Sequence, residues 1–408
     1  MLRPLKKQYT IPNFYPIFGG LLLAQLFNLL NLLILPRFFS PEDFALFGIF
    51  SSLVFIIIEI VNLKLDIAIQ VADETQRKHL TQIAIITAFF ISLIVFIFSI
   101  VYVLNYQHYY FLFLPLITFA YGINQSMLAW LNIHHKNHLI STYRVLIVIV
   151  NFVVSFCCIY FWNLHFGLIF GFISAQSIAA LFLLIINRSV FKSLVSFDDI
   201  KNHFQTFSQF PKFGVLSSLI NTITQNGIIP SIVYFFGNTL GGFYTMGSKV
   251  IAAPSGLYQT ALTQIFMQQA VHLSPTELHK MSKKILYFGF CLGILPSIIV
   301  LIFGGNIFSF LFGEEWQVAG NIASYIVLWY FVGALANPIN FILDIYQKLA
   351  IELYWNTASF VVKFSCLLIG FYYHNFWLAI ALLTIVSIMM NLILLVFSFR
   401  LLKQKRTA

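Results

Sequence analysis

The chain has 408 residues, 60% of them hydrophobic and only 9% charged. Soluble proteins carry roughly 25% charged and about 45–50% apolar residues. This chain cannot cover a water-facing surface with polar side chains, which excludes a soluble globular protein, and its hydrophobicity excludes disorder. The net charge of +10 does not point to nucleic acid, because the basic residues sit in short loops between apolar runs. Cys157, Cys158, Cys291 and Cys366 all lie inside apolar runs and read as small hydrophobes, not as a disulfide framework.

A membrane helix needs roughly 20 apolar residues. Twelve segments qualify, at 14–36, 44–63, 81–104, 109–130, 144–162, 164–186, 213–236, 239–268, 285–312, 317–343, 350–371 and 375–399. None shows the ten-residue alternation of a membrane barrel. The basic start, Met1 to Lys7, leads into a long apolar segment with no small-residue cleavage site, so 14–36 reads as a first span and not a signal peptide. Of the 23 Lys and Arg residues, 20 fall in alternate stretches beginning with the N-terminus, one (Arg37) in the opposite set, and Lys249 and Lys363 within spans. That asymmetry puts both termini in the cytoplasm.

The longest inside loop, about 187–212, divides the chain into two sets of six spans: 1–190, a linker at 191–212, and 213–408. The linker predicts an interfacial amphipathic helix with Phe191, Leu194, Phe197 and Ile200 against lipid. The halves echo each other. Arg37 to Gly48 joins spans one and two, and Phe235 to Gly247 joins spans seven and eight. Each runs from an aromatic pair through a polar turn to an aromatic-rich helix start. Six spans per half make the repeats parallel about an axis along the membrane normal, an arrangement that in secondary transporters places substrate between the halves near the midplane.

Four stretches carry a family resemblance: Ser40-Pro-Glu-Asp-Phe-Ala-Leu-Phe-Gly-Ile-Phe with Leu63-Lys-Leu-Asp-Ile-Ala-Ile69; Phe210-Pro-Lys-Phe213; Gly242-Phe-Tyr-Thr-Met-Gly-Ser-Lys-Val-Ile-Ala-Ala-Pro254; and Leu311-Phe-Gly-Glu-Glu-Trp-Gln-Val-Ala-Gly320. In order and placement they resemble the Wzx-type polysaccharide flippases of the multidrug/oligosaccharidyl-lipid/polysaccharide (MOP) exporter superfamily. Ala45, Lys64, Asp66 and Lys249 stand where that family tends to have Gly, Arg, Glu and Arg. The resemblance implies an all-α membrane protein of about twelve transmembrane helices in two six-helix bundles. It implies transport of undecaprenyl-pyrophosphate-linked oligosaccharide, the O-antigen or capsule type of repeat unit, across the bacterial inner membrane. A polysaccharide polymerase and chain-length machinery would be partners. No cofactor, metal or nucleic acid is implied.

Intramembrane charges cost about 2.5–3.5 kcal/mol each on insertion scales and mark function by default. Lys249 lies about ten residues, roughly 15 Å, into span eight. It stands on a small or polar face of Gly242, Thr245, Ala252, Gly256, Thr260 and Thr263. This face suits a cavity wall meeting an anionic lipid head; the alternative is a packing face with Lys249 snorkelling or ion-paired. Lys363 sits at mid-depth in span eleven on a face with Asn356, Ser359, Cys366 and Gly370, with the same alternatives. Pro254 marks a hinge or a static kink. Span two presents Ser52, Glu59, Asn62, Asp66 and Gln70 on one face. A buried carboxylate can hold a proton at neutral pH, so Glu59, Asp66 and Asp344 are candidates for a coupling ion. A partnership of Glu59 with Lys64, and interfacial places for Asp66 and Asp344, are the competing readings. Gln25, Asn28, Asn221 and Gln225 are candidates for binding sugar hydroxyls, and they and Asn31, Asn124, Gln125, Ser126, Ser217 and Thr224 can equally glue helices. His134, His135 and His138 lie together in a loop without a carboxylate or cysteine, which is no metal site.

An enzyme such as a membrane polysaccharide polymerase would need a sizeable charged outside loop. Here the outside loops are short and nearly uncharged apart from Glu314 and Glu315. A small-solute exporter of the same superfamily fits the fold as well, but would favour a carboxylate-lined cavity over lysines.

Overall fold

The computed structural model describes residues 15–191, 195–207, 211, 215–270, 273–346 and 349–407. Among the described residues there is no β-strand. The first six apolar segments become α1 (Tyr15–Ile34), α2 (Pro41–Val61), α4 (Glu74–Tyr106), α5 (Leu114–Ile133), α6 (Asn137–Trp162) and α7 (Gly167–Ile186), with a short α3 (Leu65–Val71) after α2. A polar helix, α8 (Phe197–Thr206), follows. Then come α9 (Val215–Asn226), α10 (Ile228–Phe236), α11 (Asn238–Ala270), α12 (Pro275–Phe312), α13 (Gln317–Asn340), a single turn α14 (Ile342–Ile345), α15 (Leu349–Tyr372) and α16 (Phe376–Thr407). Nine helices among the described residues are individually long and apolar enough to span a bilayer, so this is a multi-pass membrane protein.

The sequence marks the helix starts. Ser40 and Asp43 form a reciprocal cap on α2, each backbone N–H donating to the other's side chain, at 2.9 and 3.3 Å, with Pro41 in the first turn. Ser274 and Glu277 repeat this on α12 with Pro275, and Ser196 and Asp199 repeat it on α8. Each box satisfies two amide groups that a helix N-terminus otherwise leaves unpaired, and puts a carboxylate at the positive end of the helix dipole.

Breaks are equally local. The 213–236 segment is two helices meeting at Gly227, whose N–H donates to the Ile223 carbonyl at 2.8 Å. Pro230 follows in the first turn of α10 and has no N–H to return to the preceding turn. Between α2 and α3, Leu63 and Lys64 both adopt positive φ (49° and 59°), a conformation costing a non-glycine residue roughly 1–2 kcal/mol. Asn62 anchors the break, its amide donating to the Gly122 carbonyl at 3.0 Å and to Ser126 Oγ at 3.2 Å on α5.

The chain forms two compact units. One takes the residues through Leu35 together with Leu53–Leu219; the other takes Pro36–Ser52 together with the chain from Ile220. Helix α2 is therefore divided, its first half belonging with the second unit. The first unit's core includes Met127, Leu131, Ala179, Leu183 and Val190, with a second cluster of Leu65, Ile69, Leu80 and Ile83. Phe191 packs on the former and Ile200 on the latter. These two residues of the linker, both half-buried, therefore pack on protein. The buried Gln82 amide decides this: it donates to the Val190 carbonyl at 2.6 Å and accepts from the Val195 N–H at 2.9 Å, tying the linker to α4. Leu194 and the Phe197 side chain lie outside the described residues.

Candidate functional site

Within the second unit, three of the four family-like stretches form one packed cluster. Trp316 is fully buried, meets Phe44 and Phe243 edge-on at 5.1 and 5.9 Å, and donates from Nε1 to the Pro36 carbonyl at 2.9 Å. The Arg37 guanidinium donates twice to the Leu311 carbonyl, at 2.9 and 3.3 Å, and the Thr239 hydroxyl donates to Glu42 Oε1 at 2.5 Å. At Gly242, α11 crosses the start of α2 so closely that a Cβ would overlap the Pro41 carbonyl. The Phe210–Phe213 stretch lies, apart from Pro211, outside the described residues.

Lys249 stands eleven residues into α11, about 16 Å along its axis. Its Nζ lies 3.7 Å from the centroid of the Phe47 ring on α2. Among the described residues the ion pair present is Lys64 with Glu59, and Lys249 has no carboxylate partner. A cation held by an aromatic face keeps its attraction for an anion, because the ring offers only a quadrupole. The small-residue face divides along its length. Gly242 and Thr245 are buried against α2, where a Cβ on Gly48 would overlap Thr245. Gly256 and Thr260 are exposed, and a Cβ on Gly256 would meet nothing within 4 Å. The N-terminal part is thus a packing face, and the exposed part begins beyond Lys249. Pro254 lies inside α11 at the exposed end.

Lys363 occupies a different setting in the same unit. Its Nζ lies 5.0 Å from the Trp329 ring centroid, and the residue lines a cavity of about 230 Å³ with Thr224, Gly227, Ser231, Phe360 and Phe364. On its own face, Ser359 and Cys366 are buried and Gly370 packs against Ala379.

The remaining candidates are distributed over both units. Glu59 Oε2 accepts from Lys64 Nζ at 2.5 Å across the α2–α3 break, so the carboxylate has the local partner that was its competing reading. Asp66 is half-buried; burial raises its carboxyl above the usual range, opposed by the Lys64 ammonium. The Asp344 side chain lies outside the described residues. Gln25 in α1 has a buried Oε1 without a hydrogen bond, and Asn28 is half-buried on the same helix. Gln225 Nε2 donates to Asn221 Oδ1 at 2.9 Å one turn away, and Gln225 is exposed.

Other amides have structural partners. Asn124 donates to Gln176 Oε1 at 2.9 Å, joining α5 to α7, and Asn31 donates to the Val148 carbonyl at 3.3 Å, joining α1 to α6. Among the described residues no group of three or more His, Cys, Asp or Glu is placed to hold a metal. Sequence reasoning passed over Phe47, Trp329 and the anchoring role of Trp316. Two of these had a signal, since Phe47 and Trp316 lie inside family-like motifs; Trp329 had none.

The sequence profile of a family described as "Polysaccharide biosynthesis protein" matches residues 34–321. A capsular polysaccharide biosynthesis protein, CapF, of Staphylococcus aureus is 26% identical over 328 residues, covering 75% of this chain and 78% of that protein. Among solved structures, the lipid II flippase MurJ in an inward closed conformation superposes with a TM-score of 0.75 at 13% identity, covering 96% of this chain and 88% of that one. An inward-facing multidrug resistance MATE family transporter of the MOP superfamily superposes with a TM-score of 0.68 at 12% identity, covering 94% and 96%. At such identities these two structures establish the fold, which is that of the MOP transporters.

Proposed function

Because the chain belongs to the polysaccharide biosynthesis protein family, we propose that it is a flippase that carries a lipid-linked oligosaccharide across the bacterial inner membrane by alternating access, with undecaprenyl pyrophosphate as the lipid carrier. The single observation that carries this reading is Lys249: a cation eleven residues into α11, in a family-like motif, held by the Phe47 ring and without a carboxylate partner among the described residues. A pyrophosphate brings at least two negative charges into the membrane, and desolvating them is costly unless a cation meets them. In this reading the Lys249 ammonium holds the head group, Gly256 and Thr260 beyond it give the glycan room, and the prenyl tail stays in lipid. Gln25, Asn28, Asn221 and Gln225 supply hydrogen bonds to sugar hydroxyls. No bond is made or broken, so the protein acts as a transporter and not as an enzyme. The likeness to a capsular polysaccharide biosynthesis protein supports a lipid-linked glycan over a small cationic solute.

The test is complementation. In a strain lacking the protein, lipid-linked repeat units should accumulate on the cytoplasmic leaflet, and the wild-type chain should clear them. Lys249→Arg should clear most of them and Lys249→Ala few. Export at the wild-type rate by Lys249→Ala, at equal protein level, would remove Lys249 from substrate binding.

A further inference from the structure

The cavity beside Lys363 is not needed by the mechanism above. It lies within the second unit, walled by α9, α10 and α15. At about 230 Å³ it is far larger than the roughly 30 Å³ that one water occupies, yet below the roughly 300–1,000 Å³ of drug-sized ligand pockets. It therefore has room for a head group of one moiety.

Its lining is mostly aromatic and aliphatic, with one cation and two hydroxyls. The Thr224 hydroxyl donates to the Ile220 carbonyl at 2.7 Å and the Ser231 hydroxyl to the Gly227 carbonyl at 2.6 Å. Both donors are thus taken by their own helices, and Lys363 is the charged donor on the wall. Glu352, the nearest on α15, lies eleven positions earlier, about 16 Å along the axis. Among the described residues no carboxylate pairs with Lys363. Its partner is the Trp329 ring, at the long distance of 5.0 Å. A compact ammonium on a flexible stem is a phosphate binder by point charge, and the Phe360 and Phe364 rings suit an attached apolar chain.

We infer that this cavity is a phosphate subsite in which Lys363 pairs with a phosphate group, whether free or at the head of an amphiphile. The choice of phosphate rests on the flippase reading; the cation-lined cavity does not.

The purified full-length protein in a maltoside detergent tests this, with the thermal unfolding midpoint followed during titration with dodecyl phosphate or with inorganic phosphate. Dodecyl phosphate should raise the midpoint of the wild type and of Lys363→Arg. In Lys363→Met the apparent affinity should fall tenfold or more. Ser231→Met keeps the cation but fills the cavity, and should lose the response equally, which holds the test open if Lys363→Met folds poorly. A tighter response to dodecyl phosphate than to inorganic phosphate identifies a lipid source, and an equal response identifies free phosphate; either supports the subsite. An equal response of wild type and both methionine variants, or no response in wild type, overturns it. Because binding is read without transport, normal glycan export in a strain lacking the protein would count against the flippase reading and leave the subsite standing.

Discussion

Lys249 and Lys363 are chemically identical and both rest on an aromatic ring, but their surroundings differ. Lys249 sits 3.7 Å over Phe47 at the end of a close-packed crossing of α2 and α11. Lys363 sits 5.0 Å from Trp329 on the wall of a cavity. A lysine in the membrane thus does not define its own role. Close packing fixes the first ammonium at a point in space, which suits a substrate that must be held while the protein moves. The hollow beside the second leaves room for a ligand to come to it.

The largest effect should come from reversing the first charge. Lys249→Glu should lower glycan export by about two orders of magnitude or more, since an unpaired charge left in a buried site costs ~3 kcal/mol. Lys249→Ala should lose less, and Lys363→Ala should lose only a few-fold. If the two alanine variants export alike, measured by surface glycan at matched protein level, the functional distinction between the lysines collapses.

The packing side of the comparison can be broken at glycine. Gly242→Ala should destabilise the protein by about 1–3 kcal/mol through overpacking, because its Cβ would meet the Pro41 backbone, which has no rotamer to yield. Gly256→Ala on the same helix meets open space and should be neutral or stabilising by up to about 1 kcal/mol. Thermal midpoints in detergent give both values; equal midpoints would mean that α11 is not held at its N-terminal end.

Smaller effects should attend the carboxylates. Glu59→Gln breaks a partly buried ion pair with Lys64 but leaves a neutral side chain that still accepts from the lysine, at a cost of about 1 kcal/mol. Gradient-driven export should persist within a few-fold; complete loss with normal insertion would make Glu59 the coupling group. The smallest effect concerns Asp66. Burial holds its carboxyl above the usual range, so the folded state binds the proton more tightly than the unfolded chain. The native protein is favoured below the ordinary carboxylate pKa of about 3.9, and that advantage is lost as pH rises through the raised folded value. Asp66→Asn should therefore raise the thermal midpoint at neutral pH by about a degree, with the gain vanishing toward pH 4. A gain that is the same at both pH values would show that Asp66 does not titrate in this window.

Membership of the membrane class and the apolar segments were legible in the sequence because each rests on local physics, while the starts of α4 and α12, at Glu74 and Pro275, lie ahead of the apolar segments read at 81 and 285. Apolar length decides whether a segment spans. A Ser-Pro-x-acid box caps the turn that follows it, as at Ser40 and Ser274. The Gly227 break was written in the same local code, as glycine and then proline three residues later, but the apolar run around it masked the signal. The linker's amphipathic pattern predicted a helix and could not say what its apolar face would meet, because lipid and a protein core reward the same residues. Which polar residues face each other was not legible. Asn124 meets Gln176 across 52 positions, and Trp316 reaches Pro36 across 280. Such pairings depend on how helices cross, and crossing is set by the summed packing of many small contacts, not by a motif. The tertiary structure alone therefore decided that Phe47 lies under Lys249, that Lys363 borders a cavity, and that the first half of α2 belongs with the second unit.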